Sequence, residues 1–197
     1  MQSVTIPVPA EAKGLIFDLD GTVIDSMPLH YKAYNHSLEP WGVTYPHDVF
    51  LSRGGIPTQD TMHIISEENN IVDFDVALAL QRKRTYVDAN LDQITLIQPI
   101  MEIIKEYHGQ VPMAVGTGSN RDTVERMFAM FGLGQYFEHV VTATDVSQFK
   151  PHPETFLKCA ELIQIAPKDC VVFEDGKPGM VAAETAGMQV VDVTQYL

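Results

Sequence analysis

Four short apolar runs in this chain each stop abruptly at polar residues, and helical patterns lie between them. Gly14-Leu15-Ile16-Phe17 ends at Asp18, Val111 to Val115 ends at Gly116-Thr117-Gly118, Val140-Val141 leads into Thr142-Ala143-Thr144-Asp145, and Cys170-Val171-Val172-Phe173 ends at Glu174-Asp175. Runs cut off in this way read as buried strands. Val124, Met127, Phe128 and Phe131 space as one helix face, as do Phe156, Ala160 and Ile163, and Met180, Ala183 and Ala186 ahead of a helix-ending Gly187. Strands alternating with helices imply an α/β fold whose parallel sheet is covered by helices on both faces. Ligands of such sheets gather beyond the carboxyl ends of the strands, so the four polar strand ends are expected to meet at one place.

One stretch breaks the alternation. Residues 27–95 hold no buried strand but several helical patterns, such as Thr61 to Asn70 and Val76 to Ala89, among the breakers Pro40, Gly42, Pro46, Gly54, Gly55 and Pro57. This predicts a helical insertion at 27–95 within a discontinuous core of residues 11–26 and 96–197. Residues 26–95 carry five basic and nine acidic side chains, a formal −4, so −9 of the chain's −13 falls on the core. That overall charge gives no electrostatic driver toward nucleic acid or an anionic membrane. No apolar run approaches the roughly 20 residues of a membrane span, and Met1 to Ala10 lack the basic and apolar regions of a signal peptide. Cys159 and Cys170 have no CxxC spacing and read as two buried thiols suited to a reducing compartment, which together with the foregoing predicts a cytoplasmic protein.

The strand ends carry the chemistry. In extended chain, residues two apart point the same way, so Asp18 and Asp20 face one site while Leu19 faces the core, and Gly21 lets the chain turn away. Glu174-Asp175 adds a second acidic pair. Either pair alone also suits a solvated acidic turn. Brought together by a parallel sheet, they require a hard divalent cation such as Mg²⁺. Gly116-Thr117-Gly118-Ser119-Asn120 joins a strand to a helix, where backbone N–H groups and the positive helix end offer an anion site, or simply an N-cap. It is neither the GxxxxGK[ST] loop nor a GxGxxG fingerprint. Lys150, in Phe149-Lys150-Pro151-His152-Pro153-Glu154, would neutralise carboxylate cluster and anion alike. Together the parts describe phosphoryl transfer through a carboxyl phosphate, in which one aspartate attacks and the other protonates the leaving oxygen and then activates water.

The four segments FDLDGT, VGTGSN, FKPHPE and FEDG, in this order and covering nearly the whole chain, resemble the motifs of the haloacid dehalogenase superfamily. The resemblance implies a three-layer α/β/α Rossmann-like core with an inserted helical cap. It implies Asp18 as nucleophile, Asp20 as acid/base, and Thr117 and Lys150 as phosphate holders. Mg²⁺ would be held by Asp18, the Asp20 carbonyl and Asp175, with Glu174 supporting it. The insertion resembles the cap of the β-phosphoglucomutase-like subgroup, and the metal-free dehalogenases of the superfamily do not fit because they lack the aspartate that Asp20 supplies. A cap arginine of the mutases falls on Thr58 here, which favours a phosphatase over a mutase. His30 and Arg82 fall at or near mutase cap positions and keep the mutase open as the alternative. Stretches such as Pro112 to Ser119 and Cys170 to Asp175 resemble small bacterial phosphatases of fructose 1-phosphate and related sugar phosphates.

The expectation is therefore a Mg²⁺-dependent phosphoric monoester hydrolase, a monomer acting on a small phosphorylated sugar. Substrate-binding candidates are His30, Arg53, Gly54, Gly55, Arg82, Gly118, Ser119 and Asn120. A phosphorylation-dependent signalling receiver uses similar groups, but its accepting aspartate follows the third strand, whereas Asp18 follows the first.

Overall fold

A computed structural model of the chain describes residues 6–53 and 56–197 and divides it into two compact units, Met1–Asp25 with Leu96–Leu197, and Ser26–Thr95. In chain order the elements are β1 (Gly14–Phe17), β2 (Ile24–Asp25), α1 (Met27–Leu38), α2 (His47–Ser52), α3 (Thr58–Glu68), α4 (Val76–Ala89), β3 (Thr95–Leu96), α5 (Gln98–Tyr107), β4 (Met113–Gly116), α6 (Arg121–Phe131), β5 (His139–Val141), α7 (Glu154–Leu162), β6 (Cys170–Glu174), α8 (Lys177–Thr185) and β7 (Gln189–Asp192), with short 3₁₀ turns between some of them.

The first unit is built on a five-stranded, wholly parallel sheet in the order β5-β4-β1-β6-β7. The central strand β1 is flanked by β4 and β6, with Phe17 level with Val115 and Phe173. Every residue of β1, β4 and β6 is buried, as expected of parallel strands covered on both faces. Phe17 stacks on Phe173 with ring centroids 4.8 Å apart and meets Phe137 edge-on at 5.8 Å. A buried aromatic pair of this kind contributes about 0.5–1.5 kcal/mol beyond its area burial. On one face of the sheet, Phe156, Cys159 and Ala160 of α7 pack with Ile16, Ala114 and Val172. This is the doubly wound α/β architecture that the alternation of strands and helices predicts.

One strand boundary and one edge strand differ from the sequence pattern. The run from Val111 enters the sheet only at Met113, because Pro112 has no N–H and contributes a carbonyl alone, which accepts from Leu15 N. The edge strand β7 has no counterpart in the sequence pattern. It is four residues long and only Val191 is fully buried, so its sequence carries neither a continuous apolar run nor a clean alternation.

The second unit is helical. It is centred on Tyr34, Leu38, Tyr45, Phe50, Met62, Ile65 and Ala79. Asn35 bridges the chain before α2 to α1, its amide accepting from Tyr45 N at 2.9 Å and donating to Tyr45 O at 3.2 Å. Helix α3 starts directly after Pro57 and ends at Glu68, earlier than the pattern Thr61 to Asn70 suggests. No helix among the described residues is long and apolar enough to cross a membrane.

Candidate active site

Asp18 is the first residue beyond β1, and its N–H continues the ladder by donating to Phe173 O. Leu19 then points into the core, fully buried, while the chain turns at Gly21. Gly21 has φ +87°, and a Cβ there would lie 2.2 Å from Asp175 Oδ2, so both backbone and space require glycine. The turn brings the Thr22 hydroxyl to Asp175 Oδ1 at 3.1 Å. The sequence reading gave Thr22 no role, although it closes the same DxDGT segment.

Lys150 joins the two acidic strand ends. Its Nζ donates to Asp18 Oδ1 at 2.6 Å and to Glu174 Oε1 at 2.8 Å, above the Phe156 ring at 4.5 Å. Glu174 Oε2 accepts from Gly176 N at 2.5 Å. Helix α8 leaves room for this carboxylate through Gly179, where a Cβ would lie 1.6 Å from Glu174 Oε1. Glu174 is thus the anchor of Lys150 as well as a member of the acidic cluster. The chain before Lys150 is fixed by Glu154, which accepts from Ser147 N, Ser147 Oγ and Gln148 N and pairs with Lys158. The Ser147 N–H is the main cause that pulls the Glu154 carboxyl down to about 2, with the Lys158 ammonium adding to it.

The second polar loop lies beside Asp20. Thr117 is buried at the end of β4, its hydroxyl 3.5 Å from Asp20 Oδ2 and accepting from Ser119 N at 3.0 Å. Ser119 Oγ donates to Asp20 Oδ2 at 2.6 Å. Gly118 and Asn120 are exposed. Asn120 occupies the N-cap of α6, but only its carbonyl serves the helix, accepting from Thr123 and Val124 N–H.

Asp18, Glu174 and Asp175 each bring an oxygen to within 4.8 Å of the others. Burial pushes Asp18 well above the usual carboxylate range, and Glu174 and Asp175 push it further, against the opposing Lys150. Asp175 rises to about 7, through burial and then Glu174. Burial alone would depress Lys150, but Asp18 and Glu174 outweigh it, so the ammonium stays charged. One buried cation among these carboxylates leaves excess negative charge, and all the donors are oxygen. That donor set fits a hard divalent ion such as Mg²⁺.

The fourth strand end meets the Thr117 loop, Ala143 N donating to Ser119 O at 3.0 Å. Asp145, after β5, does not join the carboxylates. Its Oδ2 accepts from Thr142 N and Oγ1 at 2.7 Å each and from Arg121 at 2.5 Å, so it ties the start of α6 to the end of β5.

In the helical unit, the Arg82 guanidinium donates to His36 O at 2.9 Å and to Glu39 at 3.0 Å, an arrangement that braces α4 against α1. Arg53 pairs with Glu68. The buried cation there is the neighbouring Lys83, which the sequence reading missed. Its Nζ donates to Thr58 Oγ1 at 3.3 Å and sits 4.4 Å from the Tyr34 ring centre. His30 is half-buried on α1. Gly54 and Gly55 lie outside the described residues.

The sequence profile of haloacid dehalogenase-like hydrolases matches residues 15–193. Fructose-1-phosphate phosphatase YqaB of Escherichia coli is 41% identical over 181 residues, covering 91% of this chain and 95% of the relative. A phosphorylated carbohydrates phosphatase of Thermotoga maritima is 30% identical, covering 90% of this chain and 82% of its own length. The crystal structure of β-phosphoglucomutase from Clostridium difficile shares the fold, with a TM-score of 0.79 at 23% identity over 91% of this chain and 83% of that one.

Proposed function

The chain belongs to the haloacid dehalogenase-like hydrolases, and from that membership we propose that it hydrolyses small sugar phosphates, fructose 1-phosphate among them, through a phosphoenzyme on Asp18. The phosphatase relatives place the chain among the phosphoric monoester hydrolases of that family. The observation that carries the phosphoenzyme on Asp18 is its buried pair with Lys150, with Asp20 two residues on, and the sugar phosphate is carried over from the relatives.

An Asp18 carboxylate oxygen bonds to phosphorus while the bond from phosphorus to the sugar oxygen breaks. Asp20 gives its proton to that oxygen, so the sugar departs as a neutral alcohol. Asp20 then takes a proton from water, whose oxygen attacks the phosphorus and releases inorganic phosphate, returning Asp18 to a carboxylate. Lys150 and the Thr117 hydroxyl hold the phosphoryl oxygens. Asp18, the Asp20 carbonyl and Asp175 would hold Mg²⁺, with Glu174 beside them. The ion supplies positive charge that offsets repulsion between Asp18 and the phosphate.

An initial-rate screen of phosphorylated sugars, with Mg²⁺ and with EDTA, tests metal, reaction and substrate together. The expected outcome is Mg²⁺-dependent phosphate release, with fructose 1-phosphate among the good substrates. Equal rates with and without EDTA would overturn the metal assignment.

A second reading, a sugar phosphomutase, is favoured by Lys83. Its ammonium stands at Thr58, the position where the mutases carry a cap arginine, and so supplies a cation there from a different helix. Phosphorus NMR of the products from β-glucose 1-phosphate separates the two readings. Glucose 6-phosphate formed faster than free phosphate supports the mutase, and free phosphate as the main product supports the phosphatase.

A further inference from the structure

We propose that Ser119 is a positioning residue that fixes the carboxyl group of Asp20 in the orientation from which it exchanges its proton with substrate and water. The proposal rests on the reading of Asp20 as acid/base. An aspartate carboxyl rotates in a broad, shallow well about its terminal torsion, and a proton donor that samples many orientations is seldom aligned with its target. The Ser119 Oγ to Asp20 Oδ2 distance of 2.6 Å is that of a strong hydroxyl–carboxylate hydrogen bond. It anchors one oxygen and thereby sets the plane of the group.

The anchor is itself held from both sides. Ser119 N donates to Thr117 Oγ1 at 3.0 Å, and Ser119 O accepts from Ala143 N at 3.0 Å. Ala143 follows Thr142, which is locked to Asp145, and Asp145 is paired with Arg121 at the head of α6. The polar end of β5 therefore contributes to the site indirectly, by bracing the residue that orients Asp20. This gives a physical reason for a fourth polar strand end that holds no carboxylate in the cluster.

The test compares Ser119→Ala, Ser119→Cys and Ser119→Thr with the wild type. Alanine removes the hydroxyl, cysteine keeps the shape with a weak donor, and threonine keeps the hydroxyl. For a sugar phosphate, whose leaving alcohol needs a proton, Ser119→Ala and Ser119→Cys are expected to lower kcat about 10- to 100-fold, part of the usual general-acid contribution. KM is expected to stay within about 3-fold, because the Ser119 hydroxyl, which the sequence offers as a substrate-binding group, is spent on Asp20 Oδ2 in the fold. First-turnover release of nitrophenolate from p-nitrophenyl phosphate, a leaving group that departs without a proton, is expected to change by less than about 3-fold. Ser119→Thr is expected to restore most of the rate on the sugar phosphate.

Equal losses on both substrates, a raised KM with unchanged kcat, or no loss in a folded Ser119→Ala or Ser119→Cys variant would overturn the proposal. Asp20→Asn separates the two claims. If it leaves the sugar-phosphate rate intact, the acid/base reading fails. If it abolishes that rate while the Ser119 variants keep theirs, only the positioning role fails.

Discussion

The Lys150 ammonium lies 2.6 Å from Asp18 Oδ1, with both side chains almost wholly buried. Removing one partner of such a pair leaves an uncompensated buried charge, at a cost of about 3–5 kcal/mol. Lys150→Met is therefore expected to lower stability by about that amount, read from the urea midpoint, and to reduce kcat by at least about 10²-fold, the scale of losing one electrostatic stabiliser. A variant with wild-type stability and rate would show that the pair contributes little.

Gly179 and Glu174 make a second prediction. A methyl group at Gly179 would overlap the Glu174 carboxylate, which must then leave Lys150. Gly179→Ala is expected to destabilise by about 1–3 kcal/mol through overpacking and to lose activity. Gly134→Ala meets nothing within 4 Å and serves as the control, expected to stay within about 0.5 kcal/mol of wild type in the same unfolding measurement.

Glu154 carries a pH dependence. Its folded carboxyl sits at about 2, below the ordinary 4.5, so the ionised form is favoured by folding. The stability it contributes is present above about pH 4.5 and fades as the pH falls toward about 2. Urea unfolding of wild type and Glu154→Gln should show the largest gap near neutral pH and a narrowing gap below pH 4.5. A gap independent of pH would refute the assignment.

The two thiols are expected to be inert in the folded protein. Burial raises Cys159 to about 12 and Cys170 to about 11, so almost no thiolate exists near pH 8. Ellman's reagent should report no fast-reacting thiol in native protein and two after denaturation in guanidinium.

What the sequence made legible follows from the physics of each element. Buried central strands must be apolar throughout, so β1, β4 and β6 announce themselves, and with them the polar positions Asp18, Thr117 and Glu174 where they end. The edge strand β7 is under no such constraint and leaves no pattern. The partner of Asp145 was invisible because an aspartate after a strand looks the same whether it faces a site or an arginine on the next helix. Arg82 and Lys83 are neighbours separated by about 100° around a helix, and in a run of three basic residues nothing in the sequence says which one is turned inward. The hydroxyl of Ser119 reaches Asp20 across 99 positions, a contact that only the folded sheet creates.

The most direct test of the account is phosphate release from fructose 1-phosphate by wild type and Asp18→Asn at saturating Mg²⁺. The amide cannot attack phosphorus, so the variant is expected to be slower by about 10⁴-fold or more, as when a nucleophile is removed from other covalent catalysts. A folded Asp18→Asn protein that releases phosphate at the wild-type rate would contradict it.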